Sequence, residues 1–471
     1  MIELTVNEVA HTLNARIKGG KRFLEQFPSI STDSRTLKPG QCFLAIKGPH
    51  FDGNNFLRQA LEKGASAVIH SRDLKTPLDY TNCIFLQVED TTNALQVLAH
   101  YVRQKWGGLL LAISGSMGKT TTRHFATKIL SQRFRVLQSP GNLNNKIGVP
   151  LSLLKLNPNH AMALLELGMS GSGEIRDLTR ICSPNHVLLT NVAPVHLEAF
   201  SNLEEIAAAK GEILENLPSS GIFFFNADDA RLSHLAKNYS GRKISFGLSH
   251  RAEVRISSYK FEQLQKTNFT LEVHGERLDF TVPFVGKHLL YDLVAALAIA
   301  LNFDLTHGEM LKGIEKLTIP PMRGQILQIQ KPGEPSITLW DDSYNSNPEA
   351  LRMVLDTFAQ LQGFQRKILA LGEMLELGPD SMDFHQNSGA HVAQCRPNLL
   401  ITVGAGGSYI SQGAQKKSLP SRQIKHFKNS DRAADFLVRE LTWGDLLLVK
   451  GSRSAKMDHI IEKILQEKNP S

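Results

Sequence analysis

The chain of 471 residues has only four cysteines, Cys42, Cys83, Cys182 and Cys395, and no two of them stand at C-x-x-C spacing. That sparseness excludes a disulfide framework and a structural zinc site, and it fits a reducing cytosol. Long apolar runs are also missing. Nothing approaches the roughly 20 residues that a membrane-spanning helix needs. The opening "MIELTVNEVAHTLNARI" has acids where a secretory signal would have its apolar core, so a cytoplasmic protein is expected. Neither an internal repeat nor a low-complexity tract occurs. The net charge of +8 is small for this length and is not gathered into a basic face of the kind nucleic acid selects. It suits small polyanionic substrates instead. What remains is an ordinary globular composition, long enough for about three domains.

One further absence organises the reading. "LLLAISGSMGKTTTR", Leu109 to Arg123, ends like a phosphate loop in Gly118-Lys119-Thr120. A G-x-x-x-x-G-K-[ST] loop needs glycine five residues before Gly118, and Ile113 stands there. The loop is the compressed form G-x-x-G-K-[ST], beginning at Gly115. Its place between an apolar strand and a helix makes it credible. Backbone N–H groups and the helix N-terminus favour anionic oxygens. Lys119 can neutralise charge between β- and γ-phosphates, and the hydroxyl of Thr120 or Thr121 can ligate Mg²⁺. Gly115, Ser116, Met117, Gly118, Lys119, Thr120 and Thr121 are therefore the expected nucleotide-binding residues. A glycine-rich turn that binds nothing is the competing reading, and it leaves the full G-K-T ending unexplained.

Strand-like and helix-like stretches alternate in three blocks. Residues 1–107 contain "STDSRTLKPGQCFLAIKGPHFDGNNFLRQALEKGASAVI" (Ser31 to Ile69). Here a turn at Lys38-Pro39-Gly40 leads into the strand "CFLAI", a helix over 56–63 and the strand "ASAVI". Residues 108–319 open with the strand "LLLAI", the loop and the helix "TTTRHFATKIL". They continue with "AMALLEL", "HVLLTNV" and "GIFFFNA", and with helical stretches such as "LEEIAAAKGEILENL". Residues 320–471 alternate again through "SITLWDD", "KILALGEM", "NLLITVGA" and "DLLLVKG". Pro320-Pro321 interrupts helices and ladders alike and marks a boundary. The alternation predicts an α/β protein of three domains: a small N-terminal one, a central doubly wound, mostly parallel sheet, and a Rossmann-like C-terminal one.

Three residues of the central block suit hard-metal or acid–base chemistry. Glu166 ends the strand "ALLEL", at the carboxyl edge where doubly wound sheets place ligands. His196 follows "LLTNV" at a comparable edge. Alone, each reads as structural, a turn-capping glutamate and a histidine packed under a loop. Lys210, in "AAAKGEI", reads on spacing as a solvated helix lysine.

Taken together, "SGSMGKTTTR", "SPGNLNNKIGVPLSLL", "LELGMSGSGEI", "TNVAPVHLEAF" and "AAAKGEI" resemble, in order and spacing, the Mur ligases. These are the ATP-dependent amide-forming enzymes of peptidoglycan precursor synthesis. The resemblance extends through "STDSRTLKPGQCFLAIKG" in the first block and "DDSYNSNPEAL", "LGEMLELG" and "LVKGSRSAKM" in the third, nearly the whole chain. The shortened phosphate loop is this family's form. "DDSYNSNP", Asp341 to Pro348, resembles the D-D-x-Y-N-A-N-P element of the branch that adds D-alanyl-D-alanine to a UDP-muramoyl tripeptide. The branch adding the third amino acid usually carries D-Y-A-H-T-P there, and folylpolyglutamate synthases a D-G-A-H-N-P-like element.

The resemblance implies a reaction and a set of roles. ATP would convert the terminal carboxylate of the tripeptide into an acyl phosphate, which the dipeptide amine then attacks. Lys119, His196 and Lys210 would be catalytic. Thr120 and Glu166 would hold the Mg²⁺ of ATP. His196 and Lys210 would serve a second Mg²⁺, with Lys210 matching the position that is carbamylated in many members. Residues 1–107 would hold the UDP end of the substrate through Ser34, Arg35 and Lys47, although Asp33 and Arg35 can equally form a surface ion pair. Asn144 and Asn145 would face the muramoyl peptide, or form a turn. In residues 320–471, Tyr344, Asn345 and Asn347 would frame the acceptor, with Asp342 and Arg323 reaching ATP. A monomer without nucleic-acid or membrane partners is implied.

Two departures stand out. The adenine-side motif G-x-H-N-x-x-N reads "GKHLLYD" here, so Leu289 and Asp292 replace asparagines. Leucine cannot hydrogen-bond, and an ionised aspartate accepts without donating. Ser170 and Gly171 stand where many members have Asn-His. A nucleic-acid-dependent ATPase would explain the loop but not Glu166, His196 and Lys210. A silent nucleotide-binding regulator would not need that set.

Overall fold

Burial on both faces of the strand Leu109–Ser114 sets the layout of the central part of the molecule. In the computed structural model, which describes residues 2–19, 25–48, 51–73 and 83–468, Leu110 and Ala112 face one hydrophobic cluster and Leu111 and Ile113 another. A strand that is apolar on both faces belongs inside a sheet covered by helices on both sides. The helix Lys119–Leu130 and the helix Lys287–Asn302 cover the second face through Phe125, Ile129, Leu290 and Leu293. The helix Thr91–Trp106 covers the first through Leu95, Leu98 and Val102, within a cluster that also takes in Ile69 and Leu86 of the N-terminal sheet. Two sheets therefore share one apolar cluster. Asp90 starts that helix by accepting from the N–H groups of Thr92 and Asn93.

The described residues form three sheets. The first has five strands, in the order Arg16–Lys18, Ile84–Gln87, Ala67–His70, Cys42–Leu44 and Ile30–Ser31; the Arg16–Lys18 edge is antiparallel and the other pairs are parallel. The second has nine. From Val136–Gln138 it runs through Met162–Glu166, Leu109–Ser114, His186–Leu189, Ile222–Asn226 and Arg242–Gly247, all parallel, to Val254–Glu262. There it turns antiparallel through Lys266–Val273 to Glu276–Val282. The third has six strands: Gln325–Ile329, Ile337–Asp342, Asp445–Lys450, Arg366–Gly372, Leu399–Val403 and Ile424–Phe427, antiparallel at the first pair only. This is the expected three-domain α/β architecture, with the antiparallel meander at residues 254–282 as an addition to it.

Strand order places the site. Leu109–Ser114 lies between Met162–Glu166 and His186–Leu189, and the crossovers that follow it and follow His186–Leu189 run in opposite directions across the sheet. Loops at such a reversal splay apart and open a crevice at the carboxyl edge. The four cysteines are buried and unbridged. Among the described residues no helix is long and apolar enough to cross a membrane.

Candidate active site

The shortened loop closes because two of its positions have no side chain. At Gly115, φ is +143° and an added Cβ would lie 1.9 Å from Thr190 Oγ1; at Gly118, φ is +77° and a Cβ would lie 2.0 Å from Asp292 Oδ1. Both conformations favour glycine, and both approaches exclude a methyl group. The segment after the strand His186–Leu189 then holds the loop in shape. Thr190 Oγ1 donates to Met117 O at 2.5 Å, and Asn191 Oδ1 accepts from Met117 N–H at 2.9 Å. Ala193 N–H donates to Ser116 Oγ at 2.9 Å. The helix begins at Lys119 with Gly118 as its cap and no capping side chain. Its first-turn N–H groups have no partner within the helix, which makes them an anion cradle. Lys119 Nζ lies over the loop, donating to Gly115 O at 2.7 Å. Burial lowers its pKa.

Beside the loop, Thr120 Oγ1 donates to Glu166 Oε2 at 2.8 Å, and Asn144 Nδ2 donates to Glu166 Oε1 at 2.8 Å. Glu166 is 3% exposed, at the end of its strand. Arg123, also buried, stands 4.0 Å from it and donates to Gly141 O at 3.0 Å. Among the described residues no group of three or more His, Cys, Asp and Glu side chains could hold a metal. Thr120 and Glu166 still fit Mg²⁺, which binds through one or two carboxylates and completes its shell with water and substrate phosphates.

Lys210 overturns its reading from spacing. It is 2% exposed, in the helix Leu203–Gly211. Burial, and then the nearby Lys119 cation, hold its pKa well below the usual value. The neutral amine so favoured is the form that captures carbon dioxide. His196 lies close to both lysines, in a loop where its own φ is +57°. Burial lowers its pKa, while Glu376, in contact with Nδ1, acts in the opposite sense.

The third sheet completes the cavity. Its volume is about 730 Å³, and its walls include Ser116–Thr121 and Asn191–Pro194 on one side and Asp342, Tyr344, Asn345, Asn347 and Lys450 on the other. Asp342 accepts from Lys450 Nζ at 2.6 Å, and Asn345 O accepts from the same ammonium at 3.0 Å. Arg323 stacks its guanidinium 4.0 Å from the Tyr344 ring centroid. Asn347 caps the helix Pro348–Gln360 by accepting from Ala350 N–H. The carboxyl ends of two sheets thus meet around one phosphate loop.

That arrangement has relatives. Three family profiles match in succession: Mur ligase family, catalytic domain, over residues 26–103; Mur ligase middle domain over 113–300; and Mur ligase, glutamate ligase domain, over 322–453. The chain is 33% identical over 472 residues to UDP-N-acetylmuramoyl-tripeptide–D-alanyl-D-alanine ligase of Escherichia coli, with 99% of each chain covered. It is 30% identical over 466 residues to the enzyme of that name from Bacillus subtilis, again with 99% of each covered. The chain belongs to the Mur ligase family. A crystal structure of MurF from Acinetobacter baumannii superposes with a TM-score of 0.87 at 28% identity, covering 98% of this chain and 99% of that one. A Thermotoga maritima MurF ligase, solved in complex with ADP, shares the fold at a TM-score of 0.81 and 24% identity, covering 94% and 98%.

Several expected contacts take a different form in this Mur ligase. Asp292, expected beside adenine, forms the floor of the loop: it packs against Gly118 and accepts from Thr122 Oγ1 at 3.2 Å. Burial raises its pKa well above the usual carboxylate range. Leu289 is a core residue of the same helix. Asn145 takes the turn role, because its Oδ1 accepts from the N–H groups of Ile147 and Gly148. In the N-terminal sheet, Arg35 forks onto Asp33 at 2.8 Å with its side chain 82% exposed, so the ion-pair reading is the one observed. Ser34 is buried and donates to Gln59 Oε1 at 2.7 Å, and Lys47 is exposed beyond the strand Cys42–Leu44. These three lie at the carboxyl edge of their sheet, outside the residues that line the cavity. Thr190 and Asn191, which shape the loop, open the "TNVAPVHLEAF" stretch but are not among the expected site residues.

Proposed function

We propose that the cavity forms an amide between D-alanyl-D-alanine and the terminal carboxylate of a UDP-N-acetylmuramoyl tripeptide, using ATP to activate that carboxylate. The observation that carries this reading is the meeting of the phosphate loop, the Thr120–Glu166 pair and the polar face of the third sheet around one space. A carboxylate is a poor acyl donor until one of its oxygens can leave, and transfer of the γ-phosphate gives an acyl phosphate. Two anions must approach in that step, so positioned cations and N–H dipoles carry most of the catalysis. The first-turn amides at Lys119, Thr120 and Thr121 hold the phosphates, and Lys119 and Arg323 neutralise charge from two sides. The amine of the dipeptide, framed by Tyr344, Asn345 and Asn347, then attacks, and phosphate leaves from the tetrahedral intermediate.

Magnesium, when bound, supplies Lewis-acid neutralisation of the phosphate and carboxylate oxygens. Thr120 and Glu166 would hold one ion; His196 and Lys210 would serve a second, with the lysine carbamylated to an oxygen ligand. In this reading residues 1–107 hold the UDP end, residues 108–319 hold ATP and residues 320–471 hold the acceptor. The protein works as a cytoplasmic monomer without nucleic-acid or membrane partners. Phosphate release is the assay: it should require the muramoyl tripeptide and the dipeptide together and ignore polynucleotide. Release stimulated by polynucleotide, or undiminished without either peptide, contradicts the reading.

A further inference from the structure

The third sheet's domain touches the central one at a second place, beside His196. Glu376 follows the strand Arg366–Gly372, and its neighbours Met374 and Leu377 are each 2% exposed, so the loop that carries it is anchored. Its carboxylate contacts His196 Nδ1. Its carbonyl oxygen accepts from Leu197 N–H at 2.8 Å. Both His196 and Glu376 have left-handed backbones, with φ of +57° and +59°. Such conformations persist in non-glycine residues where the surroundings hold them. Gly378 closes the contact: at φ +64°, an added Cβ would lie 2.7 Å from Leu197 O, so the two backbones touch directly. The His196 loop continues from Asn191 and Ala193, the residues that hold the phosphate loop.

We propose that Glu376 is a positioning residue for the ligase reaction, orienting His196 from the C-terminal domain so that the histidine is competent only when that domain is docked. A carboxylate accepts and does not donate, so the proton of a neutral imidazole stays on Nδ1, and Nε2 keeps its lone pair for the site. A carboxylate at the far nitrogen of a functional histidine fixes both ring orientation and tautomer. The inference rests on the reading of His196 as a site residue, and the test separates the two.

Glu376 is half exposed, at 52%, so its replacement leaves the fold standing. Glu376→Ala should lower kcat about tenfold or more, the range for such outer partners, with KM for the dipeptide nearly unchanged. Glu376→Gln, whose amide oxygen still accepts, should recover part of the loss. The readout independent of turnover is ¹⁵N NMR of histidine-labelled, ligand-free protein, with the His196 signals identified by their absence in His196→Ala. Wild type should show the Nδ1–H tautomer, and Glu376→Ala a shift towards Nε2–H. An unchanged tautomer with unchanged kcat in Glu376→Ala, beside an inactive His196→Ala, overturns the proposal alone. Full activity in His196→Ala overturns both the proposal and the site reading beneath it.

Discussion

A single methyl group on Gly118 should disable the phosphate loop, and removing Asp292 should largely restore it. In Gly118→Ala the new Cβ would stand 2.0 Å from Asp292 Oδ1, where real Cβ contacts essentially never fall below 3.0 Å. Either the loop or the aspartate must retreat by about 1 Å. Asp292 sits on the buried face of the helix Lys287–Asn302, among Leu289, Leu290 and Leu293, each at most 1% exposed. A close-packed interior of that kind yields little, so the loop moves. A displacement of about 1 Å costs on the order of 100-fold in reactivity, or about 2.7 kcal/mol. Alanine in the left-handed conformation adds roughly 1 kcal/mol. The expected loss in kcat/KM for ATP is therefore several hundredfold. In Gly118→Ala/Asp292→Ala the collision is gone and the left-handed penalty of about fivefold remains, together with the lost Thr122 contact, worth about 1 kcal/mol. Steady-state ADP formation by the wild type, both single variants and the double variant closes the cycle, with thermal melts to exclude unfolding. A double variant no more active than Gly118→Ala refutes the steric account of the loop.

Lys210→Ala should fold normally and lose about 100- to 1,000-fold in kcat, the scale for one transition-state-stabilising group; acetate or propionate should restore part of it by placing oxygens in the vacated space. Lys210→Arg should be equally inactive and unresponsive, and near-wild-type turnover in the alanine variant returns Lys210 to a structural role. Stability should fall on acidification between about pH 6.5 and pH 4, because burial lowers the pKa values of His186 and His288 from 6.5 to about 4. In that window the unfolded chain binds more protons than the folded one, so each histidine costs about 1.4 kcal/mol per pH unit crossed. His186 Nδ1 also accepts from Ile222 N–H at 3.1 Å, a bond that protonation breaks. Melting at pH 7 and pH 5 should therefore show a smaller drop for His186→Asn than for wild type, and equal drops would remove His186 from the explanation.

The phosphate loop was legible because its chemistry is local: glycine at 115 and 118, lysine and threonine next, a strand before and a helix after. The family motifs carried the rest of the chemistry to Glu166, His196 and Lys210. Periodicity failed at Lys210 for a physical reason. The helix Leu203–Gly211 is rich in alanine, so apolar residues lie on more than one face and spacing cannot say which face turns inward. Asn145 and Arg35 each had two readings in the sequence, and each makes the local contact, because a turn amide or a neighbouring carboxylate is within reach. The support that Thr190 and Asn191 give to the loop comes from a segment more than seventy residues away; the "TNVAPVHLEAF" stretch begins with them, but nothing in it says that they hold the loop. The antiparallel meander did leave a signal. Burial alternates along Lys266–Val273, and His274-Gly275, both at positive φ, make the turn into Glu276–Val282. The stronger alternation of strands and helices masks that period of two.

Following the oxygen atoms of the substrate carboxylate tests the central claim most directly. Muramoyl tripeptide carrying ¹⁸O in both oxygens of its terminal carboxylate is turned over with ATP and D-alanyl-D-alanine, and the released phosphate is analysed by mass spectrometry. An acyl phosphate formed at the Lys119 loop and broken by the dipeptide amine delivers one ¹⁸O to each phosphate released. Phosphate without ¹⁸O, released at the same rate as the amide forms, contradicts the account.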